Sequence, residues 1–181
     1  KMIWYQQLVH HDIWDYDMPP APILIDLNVD GRPVRAVVQL TKQAFAYAFD
    51  RTNGRPVWPL EEKPVPQTEV PKEWTAKTQP FPSKPPAFDL QGVTRDDLID
   101  FTPELRAEAL KAIEGSTPGP IYTPIAPVTP TSKGTIVVPG FGGGANWPGG
   151  AALLTSKRFV RIHGSADATT APTPMNQLCI E

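Results

Sequence analysis

Residues 23–40 read ILIDLNVDGRPVRAVVQL, two β-branched runs with partial alternation on either side of Asp30-Gly31. Asp-Gly between such runs is a strong hairpin signal, because both central residues of the tight turn need positive φ. The pattern predicts strands at about 23–29 and 33–39. An apolar-aromatic run follows at about 43–49, then the turn Asp50-Arg51-Thr52-Asn53-Gly54 and a short strand ending at Trp58, so four consecutive antiparallel strands are expected.

The next stretch, PLEEKPVPQTEVPKEWTAKTQPFPSKPPAFDLQGV, is dense in proline and has no usable period, so it predicts mostly loop. Trp74, Phe81 and Phe88 punctuate it, and aromatic side chains of this size favour an ordered loop packed against something. Thr94 and Thr102 have the character of N-caps, the second followed by Pro103 and Glu104 in a first helical turn. The run PELRAEALKAIEG places Leu105, Ala109, Leu110 and Ile113 on one face and stops at Gly115, which predicts an amphipathic packing helix over about 103–113; a shorter turn of helix is expected at about 95–100. GTIVVPG then reads as a brief strand entering FGGGANWPGGA, a glycine-dense loop that either turns tightly or lies against a ligand.

Composition narrows the function classes. Lys plus Arg is 17 against Asp plus Glu 19, a net charge of −2. Nothing in that balance favours a phosphate-tracking surface, and no nucleic-acid partner is expected. No apolar run approaches the roughly 18–20 residues that span a bilayer, and KMIWYQQLVHH lacks the charged-then-apolar layout of a signal peptide, so no anchor is expected within this chain. The single Cys179 can form no internal disulfide. Proline stands out at 23 residues against 13 glycines, where an average chain has about 5% proline. Long loops or many short strands follow.

The densest chemistry is HHDIWDYD, residues 10–17, with two of the chain's three histidines beside Asp12, Asp15 and Asp17. Taken alone, it reads as a polar turn between strands, since carboxylate clusters are usually solvated. A zinc site on His10 and His11 is weaker still. Neighbouring residues on a strand point to opposite faces, only His163 remains elsewhere, and one cysteine cannot complete a tetrahedral set.

A resemblance changes this weighting. The segment AFDRTNGRPVW, Ala48 to Trp58, resembles the tryptophan-docking motif of the eight-bladed quinoprotein propellers, roughly A-x-D-x-x-T-G-x-x-x-W, with Asn53 where the family usually has threonine. HHDIWDYD upstream, TKQAFAYAFDRTNG at the matching remove, EEKPVPQTEVP after it and GGGANWPGG downstream stand in the order seen in membrane-type glucose dehydrogenases and related sugar or alcohol dehydrogenases that use pyrroloquinoline quinone (PQQ). The resemblance covers residues 1 to about 151. It implies an all-β fold, a partial eight-bladed quinoprotein β-propeller of about one and a half blades with a long proline-rich loop and a short helical insertion. Propeller strands would occupy 1–58, the loop and helix 59–115, and a further strand segment with its glycine loop 116–162. From 163 to 181 a divergent, disordered tail is expected. Past Ala151, ALLTSKRFVRI keeps apolar ends but loses the family's Asp-Pro and turn glycine, leaving room for a shortened hairpin.

The resemblance also implies roles. Asp15 matches the base that takes the substrate hydroxyl proton. Lys42 matches the cation that bonds a quinone oxygen of PQQ. Asn146, with Trp147 beside it, matches a loop position that touches the cofactor in some members; an ordinary glycine-loop turn with a docked aromatic is the alternative. Asp15 and Asp17 match a D-x-D spacing that holds calcium, magnesium or a lanthanide in different members. The implied partners are a sugar or alcohol substrate, a quinone or cytochrome electron acceptor, and the missing propeller blades of a parent chain. The parent would work in the periplasm, with any inner-membrane anchor outside this chain. A piece of a ring exposes faces that neighbouring blades normally bury, so inactivity of the isolated chain is expected. Two other readings stand beside this one: a non-catalytic propeller-repeat module for protein contacts, and an inactive remnant of the enzyme.

Overall fold

The computed structural model describes the backbone of residues 1–156, 159–164 and 177–180 and the side chains of residues 1–152. Strands dominate. β1 (Ile23–Val29), β2 (Arg32–Leu40) and β3 (Ala46–Asp50) form an antiparallel sheet in that order. The predicted hairpin is present, with Val29 opposite Arg32 and the turn made by Asp30 at φ 50° and Gly31 at φ 78°. That is the double positive-φ geometry the Asp-Gly pair suits.

The fourth strand of the expected set is reduced to a single bridge between Phe49 and Pro56. Pro56 has no N–H to continue a ladder. The bonds that remain run from Asp50 N to Arg55 O at 2.8 Å and from Val57 N to Ala48 O at 2.8 Å. Asp50 organises the intervening turn. Its Oδ1 accepts from the Thr52 amide at 2.8 Å and the Thr52 hydroxyl at 2.6 Å, and its Oδ2 accepts from Asn53 Nδ2 at 2.9 Å. Gly54 closes it at φ 75°, where a Cβ would meet the Trp4 ring at 2.6 Å.

Burial explains β3. Its first four residues are all buried, with alanines and large aromatics alternating. Ala46 and Ala48 face a cluster with Ile25, Leu27, Ala36, Val38 and Leu40, against which Trp58 and Phe88 pack. Tyr47 and Phe49 face the other way, into an aromatic cluster with Trp14, Tyr16, Phe45 and Tyr122. A strand buried on both faces shows no polar alternation, which is why its pattern reads as a continuous apolar run.

The proline-rich segment departs from its expected lack of regular structure. β4 (Leu60–Pro64) and β5 (Thr78–Pro82) pair antiparallel across it, with Lys63 opposite Gln79. Its aromatics do find partners: Phe81 packs edge-on to Phe45 and Tyr122, and Trp74, though 59% exposed, stacks on His11. A 3₁₀ turn spans Arg95–Asp97, closed by a reciprocal cap between Thr94 and Asp97. α1 (Pro103–Ala112) begins at the Thr102 cap as expected, but it buries none of its residues; Leu105 is 38% exposed, so the helix is a solvent-facing excursion and not the packing helix that its spacing predicts.

β6 (Ser116–Thr117) and β7 (Gly134–Thr135) make a short parallel pair. β8 (Gly150–Ser156), β9 (Phe159–Gly164) and β10 (Gln177–Ile180) form a second antiparallel sheet, ordered β10-β9-β8, in which β8 and β9 are the hairpin anticipated after Ala151. β8 lies against β1. Most of the tail expected from 163 onward lies outside the described residues. Among the described residues the sheets are open, and no helix is long and apolar enough to cross a membrane.

Two outcomes follow from this packing. Burial raises the pKa values of Tyr16, Tyr47 and Tyr122 above the ordinary value of 10.0, helped by negative charge on Asp12 near Tyr16 and on Glu62 near Tyr47. Above that pH the unfolded chain releases protons that the fold retains. Stability from these groups is therefore whole below about pH 10 and falls above it, by up to roughly 1.4 kcal/mol per pH unit for each tyrosine. Thermal melts of the intact protein between pH 8 and 11 should show this loss, with tyrosinate absorbance of the buried three appearing together with unfolding. Second, Gly54→Ala places a side chain at positive φ against Trp4 and should cost on the order of 1–2 kcal/mol or more in chemical denaturation.

Candidate functional site

The site is built on the turn that joins β2 to β3. Thr41, Lys42 and Gln43 are all buried there. Thr41 closes the turn, its amide donating to Phe45 O at 3.0 Å and its Oγ1 accepting from Phe45 N at 3.2 Å, while Ala44 takes φ 64°. Two other segments satisfy the carbonyls of this turn, the end of the proline-rich stretch and the glycine loop. Gly144 N donates to Lys42 O at 2.9 Å, Gln91 Nε2 to Gln43 O at 2.7 Å and Phe88 N to Ala44 O at 3.0 Å.

Opposite the turn runs the segment 10–17. Trp14 and Tyr16 are wholly buried, and each spends its polar end on a distant carbonyl: Trp14 Nε1 donates to Thr123 O at 2.8 Å and Tyr16 Oη to Pro139 O at 2.7 Å. Asp12 Oδ1 accepts from Trp14 N at 2.9 Å, forming a local turn. Between the two aromatic anchors Asp15 adopts φ 63°, and its side chain and that of Asp17 turn outward, 66% and 60% exposed.

The two segments meet at Lys42. Its Nζ donates to Asp15 O at 3.0 Å and Asp15 Oδ2 at 3.1 Å, and it pairs with Asp17 Oδ1 at 2.5 Å. The Lys42 side chain is only 7% exposed. Burial by itself would lower its pKa; hydrogen bonds to Asp17 and then Asp15, together with their charge, outweigh burial and carry it above the ordinary 10.5. The lysine is thus a permanent cation with its face to solvent formed by two carboxylates.

The structure brings together Asp15, Asp17 and Lys42 and lays the glycine loop against them. A Cβ on Gly143, at φ 71°, would collide with Lys42, and one on Gly144 would meet the Ala44 Cβ at 2.6 Å. The loop turns tightly, Gly143 N donating to Gly140 O at 2.9 Å, and packs close against the lysine. Asn146 uses its amide inside that loop, Nδ2 to Gly142 O at 2.9 Å and Oδ1 from Trp147 N at 2.8 Å. Trp147 is 83% exposed.

The two histidines serve neither as a zinc pair nor as parts of the Asp15–Lys42 contact. His10 Nε2 meets Glu62 Oε1 at 3.0 Å and His11 stacks on Trp74. The His163 side chain lies outside the described residues. Among the described residues no three His, Cys, Asp or Glu side chains cluster as a metal site would. Residues that the sequence did not single out include Gln79, wholly buried and bonded to the His10 backbone, and Gln43 beside Lys42. A buried glutamine carries no local pattern; only the pairing of distant segments reveals it.

Comparison with known proteins identifies the family. Residues 1–172 match the family model described as "PQQ: Glucose/ethanol/alcohol dehydrogenase, beta-propeller domain". The chain is 36% identical over 162 residues to quinoprotein glucose dehydrogenase A of Acinetobacter calcoaceticus, covering 82% of this chain and 19% of the relative. It is 36% identical over 154 residues to the quinoprotein glucose dehydrogenase of Escherichia coli (strain K12), covering 82% and 18%. The glycerol dehydrogenase large subunit of Gluconobacter oxydans (strain 621H) is 31% identical over 146 residues, covering 80% and 19%. The chain thus spans about a fifth of the length of the curated relatives it matches. No solved structure matches. With a family match over nearly its whole length, the chain belongs to the β-propeller family of PQQ-dependent glucose, ethanol and alcohol dehydrogenases.

Proposed function

We propose that this chain supplies the base, a cofactor-binding cation and about one and a half blades of an eight-bladed dehydrogenase that oxidises a sugar or alcohol hydroxyl. The observation that carries the reading is the contact of Lys42 Nζ with both the backbone oxygen and Oδ2 of Asp15, across 27 residues of sequence. The substrate class follows the names of the relatives, which are glucose and glycerol dehydrogenases.

Asp15 is exposed enough to meet a substrate and is held beside a buried cation. Its carboxylate takes the proton of the substrate hydroxyl while the carbinol carbon gives up a hydride. PQQ, when bound, supplies the two-electron acceptor for that hydride. Lys42 would place positive charge beside that group, where it would favour the negative charge of the reduced form. Lys42 suits such a group as a buried cation reached from solvent through two exposed carboxylates, provided one of its present contacts gives way. A lysine ammonium has three N–H donors, and Asp15 O, Asp15 Oδ2 and Asp17 Oδ1 take all three. A quinone oxygen would therefore replace one of the carboxylate contacts. Trp147 and the Asn146 amide stand in the adjoining loop as auxiliary contacts.

Asp15 and Asp17 would also hold a hard cation, calcium, magnesium or a lanthanide, as two of the roughly six to eight oxygen donors such ions take. The remaining donors would come from outside the described residues. Electrons would pass to a quinone or cytochrome in the periplasm, and the other blades would come from the rest of the parent protein.

Two substitutions in the complete protein test the reading. Asp15→Asn keeps shape but removes the base, so kcat should fall by roughly 10²–10⁴ while PQQ still binds, as seen by its absorbance. Wild-type turnover in that variant removes Asp15 from the role. Lys42→Met removes one charge-assisted contact worth about 1.5–3 kcal/mol, so PQQ affinity should fall roughly tenfold or more in an absorbance titration. Unchanged affinity would take the cofactor away from Lys42.

A further inference from the structure

The proline-rich segment grips the strand of chain that carries Asp15. Gln79, in β5 and 0% exposed, accepts from His10 N through Oε1 at 2.7 Å and donates through Nε2 to His10 O at 2.6 Å. One side chain thereby imitates a rung of β-ladder, satisfying both backbone groups of a residue five positions before Asp15. On either side of that rung the two histidines reinforce it. His10 Nε2 meets Glu62 Oε1 at 3.0 Å on β4, and the His11 ring stacks on Trp74 with centroids 3.3 Å apart and planes 20° from parallel. For Glu62, burial pushes its pKa up, but the bonds from His10 and Thr78 prevail and hold it below the usual range.

These contacts close a circuit. β5 is fixed to β3 by Tyr47 Oη donating to Pro80 O at 2.7 Å. β3 is joined through the Thr41–Phe45 turn to Lys42. Lys42 holds Asp15, and Asp15 leads back through His10 to Gln79 and β5. The distance between base and cation is therefore set by Lys42 itself, by the buried rings of Trp14 and Tyr16 on either side of Asp15, and by the anchorage of the segment on β4 and β5. Once a bound cofactor draws on Lys42, the buried rings of Trp14 and Tyr16 still hold the segment beside Asp15, and the anchorage on β4 and β5 fixes the direction from which the chain enters it.

We propose that Gln79 and Trp74 are positioning residues for Asp15, so that the proline-rich excursion is a clasp on the base-bearing segment. Neither residue touches the reacting atoms; both act through His10 and His11. This rests on the reading of Asp15 as base. Loss of the clasp lets Asp15 wander from the substrate hydroxyl, and a misplacement on the order of 1 Å can cost up to roughly 10²-fold in rate.

The test uses the complete enzyme reconstituted with PQQ and metal, with rates expressed per bound PQQ. Trp74→Ala truncates an exposed side chain and Gln79→Leu removes a buried rung. Both should lower kcat by roughly tenfold or more, with PQQ affinity unchanged and the deuterium isotope effect on a C-deuterated substrate increased, because the chemical step becomes limiting. Trp74→Phe, which keeps the stack, should recover most of the rate. A purely structural role would lower the amount of PQQ-loaded enzyme without moving kcat per bound PQQ or the isotope effect, and that result overturns the proposal. Should Gln79→Leu fail to fold, Trp74→Ala and Trp74→Phe decide it alone. Asp15→Asn separates the two claims: if it is inactive while Trp74→Ala turns over at the wild-type rate, the clasp falls and the base stands. If Asp15→Asn is fully active, the base assignment falls, and the clasp with it.

Discussion

A lysine ammonium shut away from solvent governs the local architecture. Removing a cation from water costs several kcal/mol unless it is paired and fully hydrogen-bonded. Lys42 meets that demand with a backbone carbonyl and two carboxylates, one acceptor for each of its protons. The surroundings are shaped to bring those acceptors in. Asp15 takes a left-handed backbone conformation so that its carbonyl and its carboxylate reach the same nitrogen. Gly143 has no Cβ, so the loop can close over the lysine stem. Deleting either side of the pair leaves unpaired charge, which is more costly than the pair is favourable.

The proline content has a structural consequence of its own. A proline contributes a carbonyl but no N–H, so proline-rich segments present more backbone acceptors than donors. The missing donors come from side chains. Tyr16 bonds Pro139 O, Tyr47 bonds Pro80 O, Thr123 bonds Pro120 O, Thr135 bonds Pro124 O and Gln39 bonds Pro20 O. Two of these donors are tyrosines whose rings form the aromatic core. One set of side chains thus fills the interior and fastens loops that could not ladder by themselves. This is how a chain with short strands and long connections becomes a scaffold rigid enough to hold a charge pair.

What the sequence revealed, and what it hid, divides along the same line. The Asp30-Gly31 hairpin, the Asp50–Gly54 turn and the Thr102 cap are local devices, and each is where its residues predict. The Asp15–Lys42 contact was legible through motif order, because 27 residues of strand, turn and strand separate two groups that meet only in three dimensions. The β4–β5 pair was not legible. Its strands read LEEKP and TQPFP, with prolines at their ends and no alternation, and what pairs them is a register set by the surrounding packing. α1 misled in the opposite direction: its apolar spacing is genuine, yet that face is covered only in part, with Ala109, Leu110 and Ile113 half-buried and Leu105 exposed. Gln79 escaped notice because a glutamine's importance lies in its partners, here the backbone of a residue 69 positions away.

The asymmetry of the ion pair decides which partner is able to move. Lys42 is 7% exposed and its turn is held by three hydrogen bonds from two other segments, whereas the carboxylates of Asp15 and Asp17 stand 66% and 60% exposed. A ligand arriving from solvent meets carboxylate oxygens first and can rotate them aside at the cost of a side-chain torsion. To displace the lysine, it would have to break the turn. On the proposed reading, a bound quinone would take the place of one carboxylate at a cation that stays fixed, and the Asp15 carboxylate would then be open to the substrate hydroxyl. Such an exchange would keep three acceptors on the buried nitrogen and leave the other carboxylate as its counter-charge, and that pairing is the condition under which a buried ammonium can be tolerated at all.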